Sequence, residues 1–270
     1  MSRVSLSGRN VLITGAARGL GRALALHLGV REGAKLILVD QDEPGLDRLA
    51  EQIGSQQPGA VRVLVRDLLE TDCARSLFDE LEATDVHGLV NNAGLTYFGP
   101  TEDGQLDRYR SIIELDFRLV VELSLLFLSR FKQRGGGFIC NVTSLGSFVP
   151  IPYQAIYAAA KAAAQSFSES LSVENRGGAV TICSVAPSGI VTDMIAEAGL
   201  TGHMNSHRFS YLSPEEAARQ VIRGLKRGKR LIIPGFINRL IYLGINILPR
   251  KLLLGLAGRI YDYDKYGGRN

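Results

Sequence analysis

The sequence predicts an α/β fold: a single doubly wound parallel sheet of about seven strands with helices on both faces. Three observations predict it. Short apolar runs alternate with longer segments of helical spacing along the 270 residues, the pattern of parallel strands joined by crossover helices. Gly15, Gly19 and Gly21 fall between the first apolar run and the first helical segment. No composition break, Ser/Gly linker or internal repeat divides the chain.

The candidate strands run from Asn10 to Thr14, Lys35 to Asp40, Val61 to Val65, Gly88 to Asn91, Gly137 to Thr143, Thr181 to Ala186 and Arg230 to Pro234. Helical spacing occupies Leu20 to Arg31, Gly45 to Ile53, Asp72 to Leu81, Leu106 to Arg134 and Tyr157 to Glu174. A further helix starts at Ser213-Pro214-Glu215-Glu216, with Ser213 as N-cap, Pro214 in the first turn and Glu216 completing a capping box. The stretch Ile195 to Leu212 has little periodicity and holds Gly199, Gly202, His203 and His207; it reads as a mobile loop over a substrate. Residues 1–235 are thus expected to form the main domain, and 236–270 an apolar, basic extension of it.

Composition narrows the field. Cys73, Cys140 and Cys183 are widely spaced, with no Cys-x-x-Cys and no His cluster, so no metal site is expected. Cys140 and Cys183 lie in apolar runs and read as buried thiols in a reducing, intracellular compartment, which makes the cytoplasm the expected location. Met1 to Arg9 is polar, with no apolar stretch and cleavage site, so secretion is not expected. No run reaches the roughly 18 apolar residues of a spanning helix, because Leu240 to Ile260 is broken by Pro249-Arg250-Lys251. The net charge of +4 is uneven. From Arg219 onward 12 Lys/Arg stand against 2 Asp/Glu, leaving 19 and 25 in the first 218 residues; the body is −6 and the tail +10. A basic tail beside apolar helices suits an anionic membrane, an anionic substrate carrier or plain solvent. No nucleic-acid-binding motif accompanies it, and nucleic acid is not an expected partner.

The chemistry concentrates in Tyr157-Ala158-Ala159-Ala160-Lys161, thirteen residues after Ser144. Positions i and i+4 share a helix face, so the Lys161 ammonium can sit near the Tyr157 phenol. A nearby cation favours phenolate and lowers a pKa that lies near ~10 in water, as proton exchange with an alcohol or ketone near neutral pH requires. At the other end, the glycine turn between strand and helix brings backbone amides and a helix amino end toward a pyrophosphate. Asp40 ends the second strand 19 residues after Gly21, where an acid accepts hydrogen bonds from a ribose diol and repels a 2′-phosphate. Arg18 pulls the other way, since a guanidinium beside the turn binds such a phosphate. NAD is therefore the expected cofactor, with NADP the alternative. Asp67 follows the third strand and Asn91-Asn92-Ala93-Gly94 the fourth, both at carboxyl ends where ligands gather in such sheets.

These motifs, in this order, resemble the short-chain dehydrogenase/reductase family from Leu6 to about Pro234. The resemblance implies a Rossmann-type fold that binds NAD or NADP and interconverts a ketone and a secondary alcohol. It implies cofactor contacts from Gly15, Arg18, Gly19, Leu20 and Gly21, from Asp67 and Leu68 at the adenine, from Asn91, Ala93 and Gly94, and from Pro187, Gly189, Ile190 and Thr192 at the nicotinamide. Tyr157 and Lys161 belong to that set as well. It makes Tyr157 the general acid/base, Lys161 the group that lowers its pKa and binds the nicotinamide ribose, and Ser144 the group that orients the substrate oxygen. Two residues depart from the pattern. Asp116 stands where the family usually has an asparagine linked through water to the lysine, and its charge either blunts the lysine or leaves the relay intact. Ser188 stands where Pro-Gly is usual, shifting the tight turn to Gly189. Family analogy also implies a homodimer or homotetramer through the two long helices.

The carboxyl segment from Phe236 to Ile260 has two apolar, basic stretches flanking Pro249. They would wall an apolar substrate pocket, join subunits or lie on a membrane as a peripheral contact through 236–260. The expected activity is hydride transfer between a nicotinamide cofactor and a carbonyl or alcohol on a fairly apolar small molecule. The alternative is a nucleotide-binding regulatory or scaffold protein of the same fold with little turnover.

Overall fold

Seven strands lie side by side in the computed structural model, which describes residues 4–266, and all of their pairings are parallel. The readings that begin at Met1 or end at Asn270 are described only between Val4 and Tyr266. The order is β3-β2-β1-β4-β5-β6-β7. β1 (Asn10–Thr14), β2 (Lys35–Asp40) and β3 (Val61–Val65) match the expected strands to the residue. β4 (Val86–Asn91), β5 (Gly137–Val142) and β6 (Val180–Val185) match within one or two positions. β7 is only Leu231–Ile232, an edge strand, not the five residues expected.

Crossover helices cover both faces, as purely parallel sheets require. On one side α1 (Gly19–Leu26), α2 (Glu43–Gly54) and α9 (Pro214–Lys226) bury Leu24, Leu46, Leu49, Ile53, Val221 and Leu225 against Val11, Ile13 and Leu38. On the other, α3 (Cys73–Glu80), α5 (Leu119–Gln133) and α6 (Ala155–Glu174) bury Leu77, Leu123, Phe127, Phe131 and Leu171 against Leu12, Ile37 and Ile139. Each fully buried Leu or Phe contributes roughly 1.5–3 kcal/mol. All three cysteines are buried free thiols.

Three expectations are corrected. Leu106 to Arg134 is not one helix: α4 (Leu106–Ile113) passes through a π-helical turn, Glu114–Arg118, into α5. The wider turn lets consecutive Leu115 and Asp116 both face inward. The aperiodic stretch before α9 is not a bare loop. It folds into α7 (Asp193–Glu197), α8 (Thr201–Ser206) and a 3₁₀ turn, Arg208–Ser210, with His203 buried. Ser213 does cap α9, its hydroxyl accepting from the Glu216 amide. The reciprocal half of the box is replaced, because the Glu216 carboxylate is taken by Arg219 and Gln220.

After β7 the chain turns at Gly235 into α10 (Phe236–Ile247), α11 (Arg250–Ile260) and α12 (Tyr263–Tyr266). Aromatic contacts fasten this extension to the body. Tyr242 meets Phe148 edge-on at 4.8 Å, Tyr263 stacks on Tyr153 at 5.3 Å and Tyr261 stacks on His203 at 4.7 Å. Among the described residues no helix is long and apolar enough to cross a membrane.

Candidate active site

Adjacent β1 and β4 mark the point where strand order reverses, and a cleft of ≈ 640 Å³ opens beyond the carboxyl ends of the strands there. Gly15, Arg18, Gly19 and Leu20 line one end of it. Gly21 stands behind that wall: a Cβ added to it would come within 2.0 Å of the Gly15 carbonyl oxygen. The turn is braced from just beyond β4, where the Asn92 side chain donates to the Thr14 and Gly15 carbonyls at 3.0 and 2.9 Å. Asp40 accepts from the Ala17 and Asp42 amides at 3.0 and 3.1 Å, which fixes its carboxylate at the cleft edge. Arg18 is held in an ion pair with Glu197, 2.5 Å away across the opening.

Asp67 and Leu68 line the same end, with Asp67 Oδ1 accepting from the Leu69 amide at 2.9 Å. Ala93 and Gly94 line it too. Asn91 does not. Its side chain points into the core, donating to Asn141 at 2.8 Å and Ser124 at 3.2 Å. The Asn91 side chain thus braces β4, β5 and α5, while its neighbour Asn92 reaches the cleft.

At the far end Ser144, Tyr157 and Lys161 line one wall. β5 ends just before Ser144, which caps the 3₁₀ turn Leu145–Phe148 by accepting from the Gly146 amide at 3.1 Å. The Tyr157 and Lys161 side chains come from the first two turns of α6, as their spacing predicts. Lys161 Nζ donates to the Val142 carbonyl at 3.0 Å and lies 3.1 Å from Asp116 Oδ1 and 6.0 Å from the Tyr157 ring centre. Asp116 sits behind Lys161, fully buried on the π-helical turn.

These groups perturb one another. Burial pushes the Tyr157 phenol above its usual range; Lys161 pulls it down, Asp116 pushes it up and Ser144 favours phenolate. The cation's expected effect is present, but in this state desolvation outweighs it. Burial works against the Lys161 ammonium, yet Asp116 and Tyr157 prevail and its pKa is raised. Burial lifts Asp116 to about 6 against the pull of Lys161.

Pro187, Ser188, Gly189, Ile190 and Thr192 close the cleft between the two ends. Gly189 has no positive φ; a Cβ there would lie 2.1 Å from the Tyr211 ring, so the glycine makes room for that aromatic. Sequence reasoning missed Thr96, Gln154 and Tyr211 and gave His203 only a place in a loop, yet all four line the cleft. Gln154 donates to Thr96 at 2.9 Å, and His203 Nδ1 lies 3.0 Å from the Tyr211 hydroxyl. Burial and neighbouring His207 lower His203 to about 4. The inner faces of α10 and α11 supply Ile241, Ile245, Leu253 and Leu256, and the link between the helices supplies Leu248. Of the three roles open to this extension, walling an apolar pocket is therefore realised.

The residues fit a dinucleotide. A side-chain-free turn at a helix amino end suits a pyrophosphate, a fixed carboxylate suits a ribose diol, and a phenol beside a buried ammonium suits an oxygen that exchanges protons. The short chain dehydrogenase family model matches residues 9–201. SadH of Mycobacterium tuberculosis is 33% identical over 246 residues, 86% of this chain and 87% of SadH. The 17-beta-hydroxysteroid dehydrogenase type 3 of Danio rerio is 30% identical over 227 residues, 82% of this chain and 71% of that one. A short-chain dehydrogenase from Sphingobium yanoikuyae, solved in complex with NADPH, aligns with a TM-score of 0.79 at 27% identity, covering 92% of this chain and 95% of that one. The chain belongs to the short-chain dehydrogenase/reductase family and is an oxidoreductase that works with a nicotinamide cofactor.

Proposed function

We propose that the protein transfers a hydride between NAD and a ketone or secondary alcohol on a fairly apolar small molecule. The observation that carries this reading is the convergence of Ser144, Tyr157 and Lys161 on one cleft that also holds the glycine turn and Asp40. The nicotinamide ring, when bound, supplies or accepts the hydride. Tyr157 Oη gives a proton to the carbonyl oxygen in reduction and takes it from the alcohol in oxidation. Lys161, anchored by Val142 and Asp116, stabilises the phenolate and hydrogen-bonds the cofactor ribose. Ser144 fixes and polarises the substrate oxygen. Asp116 positions Lys161 and tempers its charge.

Asp40 supports NAD over NADP, and the pairing of Arg18 with Glu197 supports it further by occupying the cation that a 2′-phosphate would need. The wall of Ile241, Ile245, Leu248, Leu253 and Leu256 supports an apolar substrate, as does the steroid-dehydrogenase name of the Danio rerio relative. Exposed Ile113, Leu125 and Val173 on α4, α5 and α6 support a homodimer or homotetramer. Buried free thiols support a cytoplasmic setting. We read residues 1–235 as the cofactor-binding and catalytic domain and 236–270 as its extension, which completes the substrate end of the cleft.

A panel of apolar ketones and alcohols with reduced or oxidised cofactor tests the reading, run beside Tyr157→Phe. Turnover by the wild type is expected, with kcat lowered about 10²–10⁴-fold in the variant and cofactor affinity within about twofold. Tight cofactor binding without turnover on any substrate would instead favour the regulatory or scaffold alternative.

A further inference from the structure

We propose that the outer face of α10 and α11 seats the protein on bilayers rich in anionic phospholipid. While the inner face of these helices lines the cleft, the outer face is also apolar. Phe236, Leu240, Leu243 and Ile247 are 71%, 49%, 53% and 70% exposed. Their spacing of four, three and four residues puts them in one stripe along α10. On α11, Leu252 and Leu254 continue the exposed apolar surface at 50% and 45%. Phe209, 67% exposed, extends it to the cleft rim from the 3₁₀ turn that packs on α10. A helix that needed only to wall a pocket would show solvent a polar face.

Charge identifies the occupant. Residues 236–260 carry Arg239, Arg250, Lys251 and Arg259 and no acidic residue. Arg250 and Lys251 sit at the corner between the two helices, exposed beside Ile247 and Leu252. Leucine, isoleucine and phenylalanine flanked by cations match the acyl boundary and headgroups of an anionic leaflet. A second copy of the chain fits less well, because a two-fold contact sets a patch against itself and would bring cation to cation. Seated this way, the apolar mouth of the cleft opens beside lipid. The surface stands apart from the hydride-transfer reading; only entry of substrate from the bilayer rests on it.

Sedimentation of the full chain with vesicles tests the proposal. Phosphatidylcholine vesicles enriched in phosphatidylserine are expected to carry the protein down, with partition about tenfold weaker on phosphatidylcholine alone. Salt raised from about 0.1 to about 1 M, which shortens the screening length from about 10 to about 3 Å, is expected to release it. The double variant Leu243→Glu/Ile247→Glu, whose positions lie outside the cleft lining, should lose at least about tenfold in partition while keeping its Tm and cofactor affinity. Absence of sedimentation with anionic vesicles at low salt would overturn the proposal. So would light scattering showing that the double variant splits a larger assembly, which makes this face a contact between copies.

Discussion

Asp116 holds its carboxylate 3.1 Å from the Lys161 ammonium, and neither side chain has appreciable access to solvent. An asparagine here would leave the ammonium as the sole charge behind Tyr157. The aspartate adds an opposing one, which raises both Lys161 and Tyr157. In Asp116→Asn the rise of alcohol-oxidation kcat/KM with pH, which follows formation of phenolate, is expected to move toward lower pH. An unmoved profile would show that the charge does not reach Tyr157.

The same substitution has a signature in stability. Burial raises folded Asp116 from 3.8 to about 6. Its stabilising contribution is therefore complete below about 3.8 and is lost as pH rises through about 6. Between these limits the Tm of the wild type should fall relative to that of Asp116→Asn, as measured by calorimetry at pH 4, 5 and 6.

His203 acts in the opposite sense. Buried against Tyr261, Tyr211 and His207, its pKa is lowered from 6.5 to about 4. The unfolded chain takes up this proton first, so the stability it contributes is present above about 6.5 and lost as pH falls through about 4. His203→Gln is expected to flatten the acid side of the Tm profile across that window. An equally steep loss in the variant would assign the acid sensitivity to other groups.

Cofactor choice is expected to turn on Asp40. Asp40→Asn removes the charge and keeps an acceptor for only one of the Ala17 and Asp42 amides, which bond different carboxylate oxygens. The ratio of kcat/KM with NAD to that with NADP should fall about tenfold or more. Tighter use of NADP by the wild type would reverse the assignment.

Gly21→Ala measures how closely the turn packs. The new methyl group would meet the Gly15 carbonyl at 2.0 Å, a backbone atom that moves only with the turn itself. A loss of about 1–3 kcal/mol, seen as a Tm lowered by several degrees, is expected together with weakened cofactor binding.

The parts legible in the sequence are those governed by local pattern. β1, β2 and β3 are apolar runs bounded by turn residues, and they emerge with the expected limits. Tyr157 and Lys161 share a wall because four residues make one helical turn. The parts that were not legible depend on distant contacts. Residues 193–210 carry little amphipathic period because Leu200 and His203 pack on residues distant in the chain: Leu200 in a cluster with Phe98, Tyr153, Tyr261 and Tyr263, and His203 stacked on Tyr261. Asn91 and Asn92 look alike in sequence, yet strand alternation sends one into the core and the other to the cleft. The break between α4 and α5 had no proline or glycine to announce it, since Glu114 to Arg118 are all ordinary helix residues.

That break makes chain length, more than residue identity, the sensitive quantity in this stretch. A π turn accommodates one residue beyond α-helical pairing. Deleting Phe117 alone would let residues 106–133 wind as one regular rod with little net rotation upstream, because the wider turn is what absorbs the extra residue. Tyr109 and Ile112 would keep their seat against Ala160, but Leu115 and Asp116 would compete for one inward place and the carboxylate would lose the position that sets it beside Lys161. A single missing codon would thus loosen the charge pair while every strand of the sheet stayed in place.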